Sequence, residues 1–169
     1  KITIKGNSIT IKGKKIKGVE IHTAPFPGFP TDLQAPFTAL MTIAHGETKI
    51  TEAIFENRMN HINLLKKMGA NIKLNKNVAY IKGVKTIKGM DLVGSDLRSS
   101  AALIIAGIVA KGSSKIYGLE HLDRGYENFE TKLKKLGIEI TREAGNKVFL
   151  GKEYKIEVEP NKVPKFEVA

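Results

Sequence analysis

The chain has 169 residues, 41% of them hydrophobic, enough to bury a core for one ordinary domain or two small ones. Cysteine is absent, which excludes a disulfide scaffold, a Cys-based zinc site and a thiol nucleophile and suits a reducing cytosol. A formal net charge of +11, from 28 basic and 17 acidic side chains, raises nucleic acid as a partner. The lysines, however, are spread over strand ends and helix backs, and the few aromatics do not alternate with them, so no stacking platform is visible. An anionic small-molecule substrate explains the charge at least as well. Lys1 stands where a methionine or a signal peptide would begin a complete chain, so a piece of a longer polypeptide is expected.

In chain order, the opening KITIKGNSITIKG alternates with period two on both sides of Gly6-Asn7-Ser8 and predicts a β-hairpin. The stretch PFPGFPTDLQAP, residues 25–36, then leads into an apolar segment. Thr31 and Gln34 have capping-box spacing, so a helix should start just before Asp32. It should end near Gly46, with a short strand TKIT after it. Met59, Ile62, Leu65 and Met68 share the face of a second helix stopped by Gly69, and ANIKLNKNVAYIKG closes as two alternating strands.

The same order then recurs. SDLRSSAALIIAGIVAKGSSKI from Ser95 lies over TDLQAPFTALMTIAHGETKI from Thr31, setting Asp32 on Asp96, and Arg58 falls on Arg124. Ser95 takes the N-cap position, the helix ends near Gly112, and the strand SKIYG follows. Tyr126, Phe129, Leu133 and Leu136 form the next helical face before Gly137, and IEITREAGNKVFLG reads as the closing strands. The residues 101–110, AALIIAGIVA, are half the length of the roughly 18–20-residue run that spans a bilayer and read as a buried helix. Two helix-strand-helix-strand-strand units predict an α/β fold, with helices packed inside a ring of small sheets or in a layered sandwich.

Standard motifs are missing. There is no G-x-G-x-x-G, and GIVAKGSS has P-loop glycine spacing with Ser where lysine is required. His22, His45, His61 and His121 lack metal-ligand spacing and read as structural or surface residues. What remains is an aspartate at a helix start and an arginine at the start of the next helix, twice. Asp32 alone is a common helix-capping residue. Pro25, Pro27 and Pro30 restrict the backbone before it, and such preorganisation suits a general base or a substrate-orienting acceptor. Arg58, Arg98 and Arg124 sit where the helix dipole disfavours cations, so each is a candidate to grip a carboxylate or phosphate. Local pairs of Arg58 with Glu56 and Arg98 with Asp96 are the alternative. Phe26 and Phe29 read as core or wall residues.

FPTDLQAP (residues 29–36), TEAIFENRMNH (51–61), GSDLRSSAALIIAG (94–107) and LDRGYENFETKLKKLG (122–137), in this order, resemble the UDP-N-acetylglucosamine 1-carboxyvinyltransferases, enolpyruvyl transferases of early peptidoglycan synthesis. The resemblance covers residues 19–145. It implies an inside-out α/β barrel of three pseudo-symmetric units in each of two domains, of which this chain holds part of the C-terminal one. Residues 1–18 would be the terminal hairpin of a preceding unit, 19–89 and 90–151 two repeat units, and 152–169 a tail with no assigned role. By the same resemblance Asp32 is the general base that contacts the sugar 3-hydroxyl, Ile54 lies beside the UDP-sugar, and Arg124 closes on phosphoenolpyruvate. Arg58, Asp96 and Arg98 are further substrate-binding residues of the interdomain cleft. The implied setting is a cytoplasmic enzyme with UDP-N-acetylglucosamine and phosphoenolpyruvate as substrates, the N-terminal catalytic domain as partner, no cofactor, no metal, no nucleic acid and no membrane. The family's catalytic-loop cysteine and lysine-asparagine pair have no counterpart here, so the isolated chain is expected to have negligible activity. The 3-phosphoshikimate 1-carboxyvinyltransferases, which share fold and chemistry, are the nearest alternative, and a non-catalytic nucleotide- or nucleic-acid-binding module is another.

Overall fold

The computed structural model describes residues 2–145 and 153–158. The opening hairpin forms as its alternation predicts, β1 (Ile2–Lys5) pairing antiparallel with β2 (Ser8–Ile11) across a tight turn in which Gly6 has φ 56°. Then β3 (Glu20–His22), a 3-10 turn (Thr31–Leu33), α1 (Gln34–Met41), β4 (Glu47–Thr51), α2 (His61–Lys67), β5 (Asn71–Asn75) and β6 (Val78–Lys82) make the first unit. The second comprises β7 (Asp91–Val93), α3 (Leu97–Val109), β8 (Ser114–Tyr117), α4 (Leu119–Leu122), α5 (Phe129–Lys135), β9 (Ile140–Gly145) and β10 (Glu153–Val158).

Each unit builds a four-stranded sheet with the same plan. The orders are β3-β4-β6-β5 and β7-β8-β10-β9. In each, the first two strands run parallel and the rest antiparallel. The parallel strands β3 and β7 precede the first helix and are absent from the helix-strand-helix-strand-strand order read from sequence, so the repeat is strand-helix-strand-helix-strand-strand. At three residues each they are too short for alternation to register, and their pairing partners lie well along the chain. The second unit's fourth strand, β10, comes from the segment left unassigned as a tail. Part of the predicted closing pair, residues 146–151, lies outside the described residues.

The helices of each unit lie against that unit's own sheet, and α1 and α2 of the first unit pack against α3 of the second. Their shared core contains Ala39, Ile50, Ile62, Leu65, Leu103 and Ile104, each fully buried. Each of the buried isoleucine and leucine side chains contributes about 1.5–3 kcal/mol. The outer faces of the sheets carry the charge, as where Lys49 Nζ lies 2.8 Å from Glu20 Oε1. No closed barrel forms among the described residues, where the two sheets and the hairpin are separate. No helix among them is long and apolar enough to cross a membrane.

Candidate functional site

The proline-rich approach to Asp32 is folded back on itself. Gly28 N donates to Pro25 O at 2.8 Å, Ala24 N to Phe29 O at 2.9 Å and Leu33 N to Pro30 O at 3.0 Å, and the Phe26–Pro27 bond is cis. Phe29 packs edge-on against Phe37 at 5.2 Å between ring centroids, as a wall residue does. Phe26 is 97% exposed, against the reading that placed it in core or wall.

The predicted capping box does not form. Thr31–Leu33 winds as a 3-10 turn, and the residue before α1, Leu33, makes no side-chain cap. Thr31 Oγ1 is engaged elsewhere, donating to Glu52 Oε2 at 2.8 Å, and buried Gln34 Nε2 donates to Met59 Sδ at 2.9 Å. Asp32 therefore caps nothing and projects outward, its side chain 69% exposed.

Its sequence counterpart behaves differently. Asp96, not Ser95, is the N-cap of α3: Oδ1 accepts the backbone N–H of Arg98 at 2.9 Å and of Ser99 at 3.0 Å. Ser95 Oγ donates to Asp96 Oδ2 at 3.1 Å. One Asp-Leu pattern thus does two jobs, because a 3-10 turn precedes α1 and an extended residue precedes α3.

Asp32 gathers two arginines remote in sequence. Its Oδ1 lies 2.8 Å from Arg98 Nε, 2.7 Å from Arg98 Nη2 and 3.4 Å from Arg58 Nη1. Among the described residues neither guanidinium pairs with Glu56 or Asp96, as the local alternative had it. Asp32 Oδ2 makes no hydrogen bond among the described residues, so one carboxylate oxygen is fixed and the other is presented. Arg58 also donates to Thr31 Oγ1 at 2.9 Å and lies 3.6 Å over the Phe55 ring. Burial, then the neighbouring Arg98 charge, lowers the Arg58 pKa, while Asp32, Glu52 and Asp96 oppose that shift.

Ile54 is 40% exposed, on the turn after β4. With Phe55, Glu56, Asn57 and Lys76 it lines a shallow depression of about 500 Å³. Arg124 is exposed in the turn between α4 and α5 and makes no hydrogen bond or ion pair among the described residues. Its neighbours bring that turn to the site: a Cβ on Gly125 would lie 3.2 Å from Leu97 Cδ1. The Tyr126 hydroxyl pKa is raised by burial and then by the Asp32 charge, with Arg98 acting the other way. Asp32, Arg58 and Arg98 are thus in contact, Asp96 caps the helix that carries Arg98, Ile54 precedes the Phe55 ring that lies against Arg58, and Arg124 precedes the Gly125 that approaches Leu97.

Sequence reasoning missed Glu52, which is 1% exposed and accepts hydrogen bonds at both oxygens. Strand parity carries the signal, since Thr48, Ile50 and Glu52 alternate onto the buried face. No group of three or more His, Asp or Glu side chains that could hold a metal occurs among the described residues.

Comparison with known proteins matches the chain, by sequence and by fold, to a family. Residues 1–133 match the family model described as EPSP synthase (3-phosphoshikimate 1-carboxyvinyltransferase). A curated UDP-N-acetylglucosamine 1-carboxyvinyltransferase of Prochlorococcus marinus (strain MIT 9312) is 81% identical over 93% of this chain and 34% of its own length. That of Synechocystis sp. is 51% identical over 76% of this chain and 30% of its own. The chain thus spans about a third of the length of the curated relatives it matches. The crystal structure of the enolpyruvyl transferase NikO from Streptomyces tendae superposes with a TM-score of 0.70 at 26% identity, over 95% of this chain and 34% of that one. EPSP synthase from Acinetobacter baumannii, 15% identical with a TM-score of 0.62 over 86% of this chain and 31% of that one, shares the fold. The chain belongs to the EPSP synthase family of enolpyruvyl (carboxyvinyl) transferases.

Proposed function

We propose that this chain is the base-bearing, C-terminal part of the transferase that moves enolpyruvate from phosphoenolpyruvate to the 3-hydroxyl of UDP-N-acetylglucosamine, the first committed step of peptidoglycan synthesis, in the cytoplasm. The observation that carries the reading is Asp32, with Oδ1 gripped by Arg98 and Arg58 and Oδ2 open. An oxygen held in this way can take the proton of an incoming hydroxyl as that hydroxyl bonds to the enolpyruvyl carbon and phosphate departs. Arg124, exposed beside the site, would meet the anionic phosphoenolpyruvate, and Arg58 and Arg98 would hold further anionic groups. Ile54 and its depression would take the apolar side of the UDP-sugar. Asp96 would act on substrate through Arg98, whose helix it caps. The family model is named for the 3-phosphoshikimate enzyme, but the high-identity relatives favour the UDP-sugar substrate.

Residues 1–18 are read as the end of a preceding unit. Two likenesses to the first unit and one difference from it support this. The pairs Ile2↔Ile11 and Ile4↔Ile9 repeat the register of Ile72↔Ile81 and Leu74↔Ala79. Ile72, Ala79 and Ile81 are buried, whereas all four hairpin isoleucines are at least half exposed along one face. A Cβ on Gly83 would collide with the Ala44 carbonyl oxygen, while one on Gly13, at the same place after its hairpin, meets nothing within 4 Å. Both the isoleucine face and Gly13 thus fit a missing helix and strand of the same kind, which would extend the helical layer toward an inside-out barrel. The rest of the site belongs to the N-terminal catalytic domain. Phosphate release from phosphoenolpyruvate and UDP-N-acetylglucosamine tests the reading: turnover should appear only when the chain is joined to its native upstream sequence. Turnover by the chain alone would overturn the claim of a divided site, and inactivity of the joined protein would overturn the substrate assignment.

A further inference from the structure

We propose that Glu52 is a positioning residue that sets the direction of a hydrogen-bond relay through Thr31 and so holds Arg58 on Asp32. The buried carboxylate accepts at Oε1 from Thr23 Oγ1 at 2.9 Å, Ile54 N at 2.9 Å and Phe55 N at 3.2 Å, and at Oε2 from Thr31 Oγ1 at 2.8 Å. A carboxylate only accepts and a guanidinium only donates, so the hydroxyl between them has one available orientation. The Thr31 proton goes to Glu52, and its lone pair faces Arg58 Nη1 at 2.9 Å. That same Nη1 is the atom 3.4 Å from Asp32 Oδ1. Thr23 repeats the device on the other side, giving its proton to Glu52 and accepting Ala53 N–H at 2.8 Å.

Glu52 also fixes the rest of Arg58's surroundings. Its bonds to the Ile54 and Phe55 amides shape the turn that carries the ring lying 3.6 Å beneath the guanidinium. The hairpin tip is tied to the same residue, since Glu52 N donates to Asn77 O at 2.9 Å and Asn77 Nδ2 donates to Glu52 O. Glu52 therefore joins the end of β3, the Asp32 turn and the Ile54 turn through its carboxylate, and the β5–β6 tip through its backbone. A buried carboxylate is costly unless fully hydrogen-bonded, and here four donors satisfy it.

Glu52→Gln isolates the relay because it preserves shape. The three donors at Oε1 require the amide oxygen there, which leaves the amide nitrogen facing Thr31. Thr31 must then accept from it and turn its own proton toward Arg58, donor against donor. This inference deepens the proposed function and rests on it only for the catalytic readout. In the joined protein, Glu52→Gln and Thr31→Val should each lower kcat/KM by about tenfold or more, the range of a lost charged hydrogen bond. The double variant should be no worse than the poorer single, and Thr31→Ser should recover most of what Thr31→Val loses. Wild-type kcat/KM in Glu52→Gln, or losses that multiply in the double variant, would overturn the relay. Should Glu52→Gln fail to fold, the contrast between Thr31→Val and Thr31→Ser decides in its place. The Arg58 side-chain nitrogen resonances of this chain supply a readout independent of activity. They should shift in both Glu52→Gln and Thr31→Val, and an unchanged spectrum would refute the relay even if the transferase reading stands. A shifted spectrum with an inactive joined wild type would uphold the relay and refute that reading.

Discussion

His61 opens α2 with its ring 2% exposed and its Nε2 buried without a hydrogen-bond partner among the described residues. Burial lowers its pKa from 6.5 to about 4, the Asp96 charge opposing only in part. The folded chain therefore keeps a neutral imidazole where the unfolded chain would already bind a proton. Above pH 6.5 neither state is protonated and the full stability is present. As the pH falls from 6.5 toward about 4, the unfolded state gains the proton first and stability drops, levelling once the folded imidazole is itself protonated. At about 1.4 kcal/mol per pH unit, that interval amounts to about 3 kcal/mol. Urea unfolding at a series of pH values reads this as a fall in midpoint of about 1 M or more. His61→Leu removes the titrating group, so the difference between wild type and variant isolates it from the carboxylates. Parallel midpoint curves for the two proteins between pH 6.5 and 4.5 would refute the reasoning.

Two further outcomes follow from the same geometry. Asp96→Ala removes both first-turn bonds of α3 and should cost about 1 kcal/mol, read as a fall in Tm of about 2–4 °C, while Asp96→Ser, still able to cap, should keep most of it. Ile4→Ser, at a site 71% exposed, should leave the stability of this chain within about 0.5 kcal/mol. In the joined protein it should cost about 1–3 kcal/mol if a preceding unit covers the hairpin, as denaturant unfolding of both forms would measure.

The parts of the fold legible in the sequence are those with local periodicity. Ile72, Ala79 and Ile81 alternate into a buried face, and Ile62 and Leu65 recur at helical spacing, so hairpin and helix were readable from neighbours alone. β3 and β7 were not, because three residues paired in parallel leave no local pattern. The capping box at Thr31 failed for a tertiary reason: its hydroxyl proton is drawn to Glu52, 21 residues away. The site behaves likewise. Asp32 and both arginines were identifiable as residues out of place for simple helix capping, but their convergence spans 26 and 66 residues and outweighs the local partners Glu56 and Asp96. Asp96, which the resemblance sets among the polar residues of the cleft, also caps α3 through Oδ1, the place that the sequence pattern assigned to Ser95.

The central claim concerns the free oxygen of Asp32, and Asp32→Asn in the joined protein tests it most directly. The amide keeps an oxygen for Arg98 and the volume of the side chain while replacing the proton-accepting Oδ2 with a donor. Steady-state phosphate release should show kcat reduced by about 10²–10⁴-fold with KM changed far less, the signature of a lost general base. A variant that keeps wild-type kcat and loses only affinity would make Asp32 an anchor for the arginines and contradict its role in proton transfer.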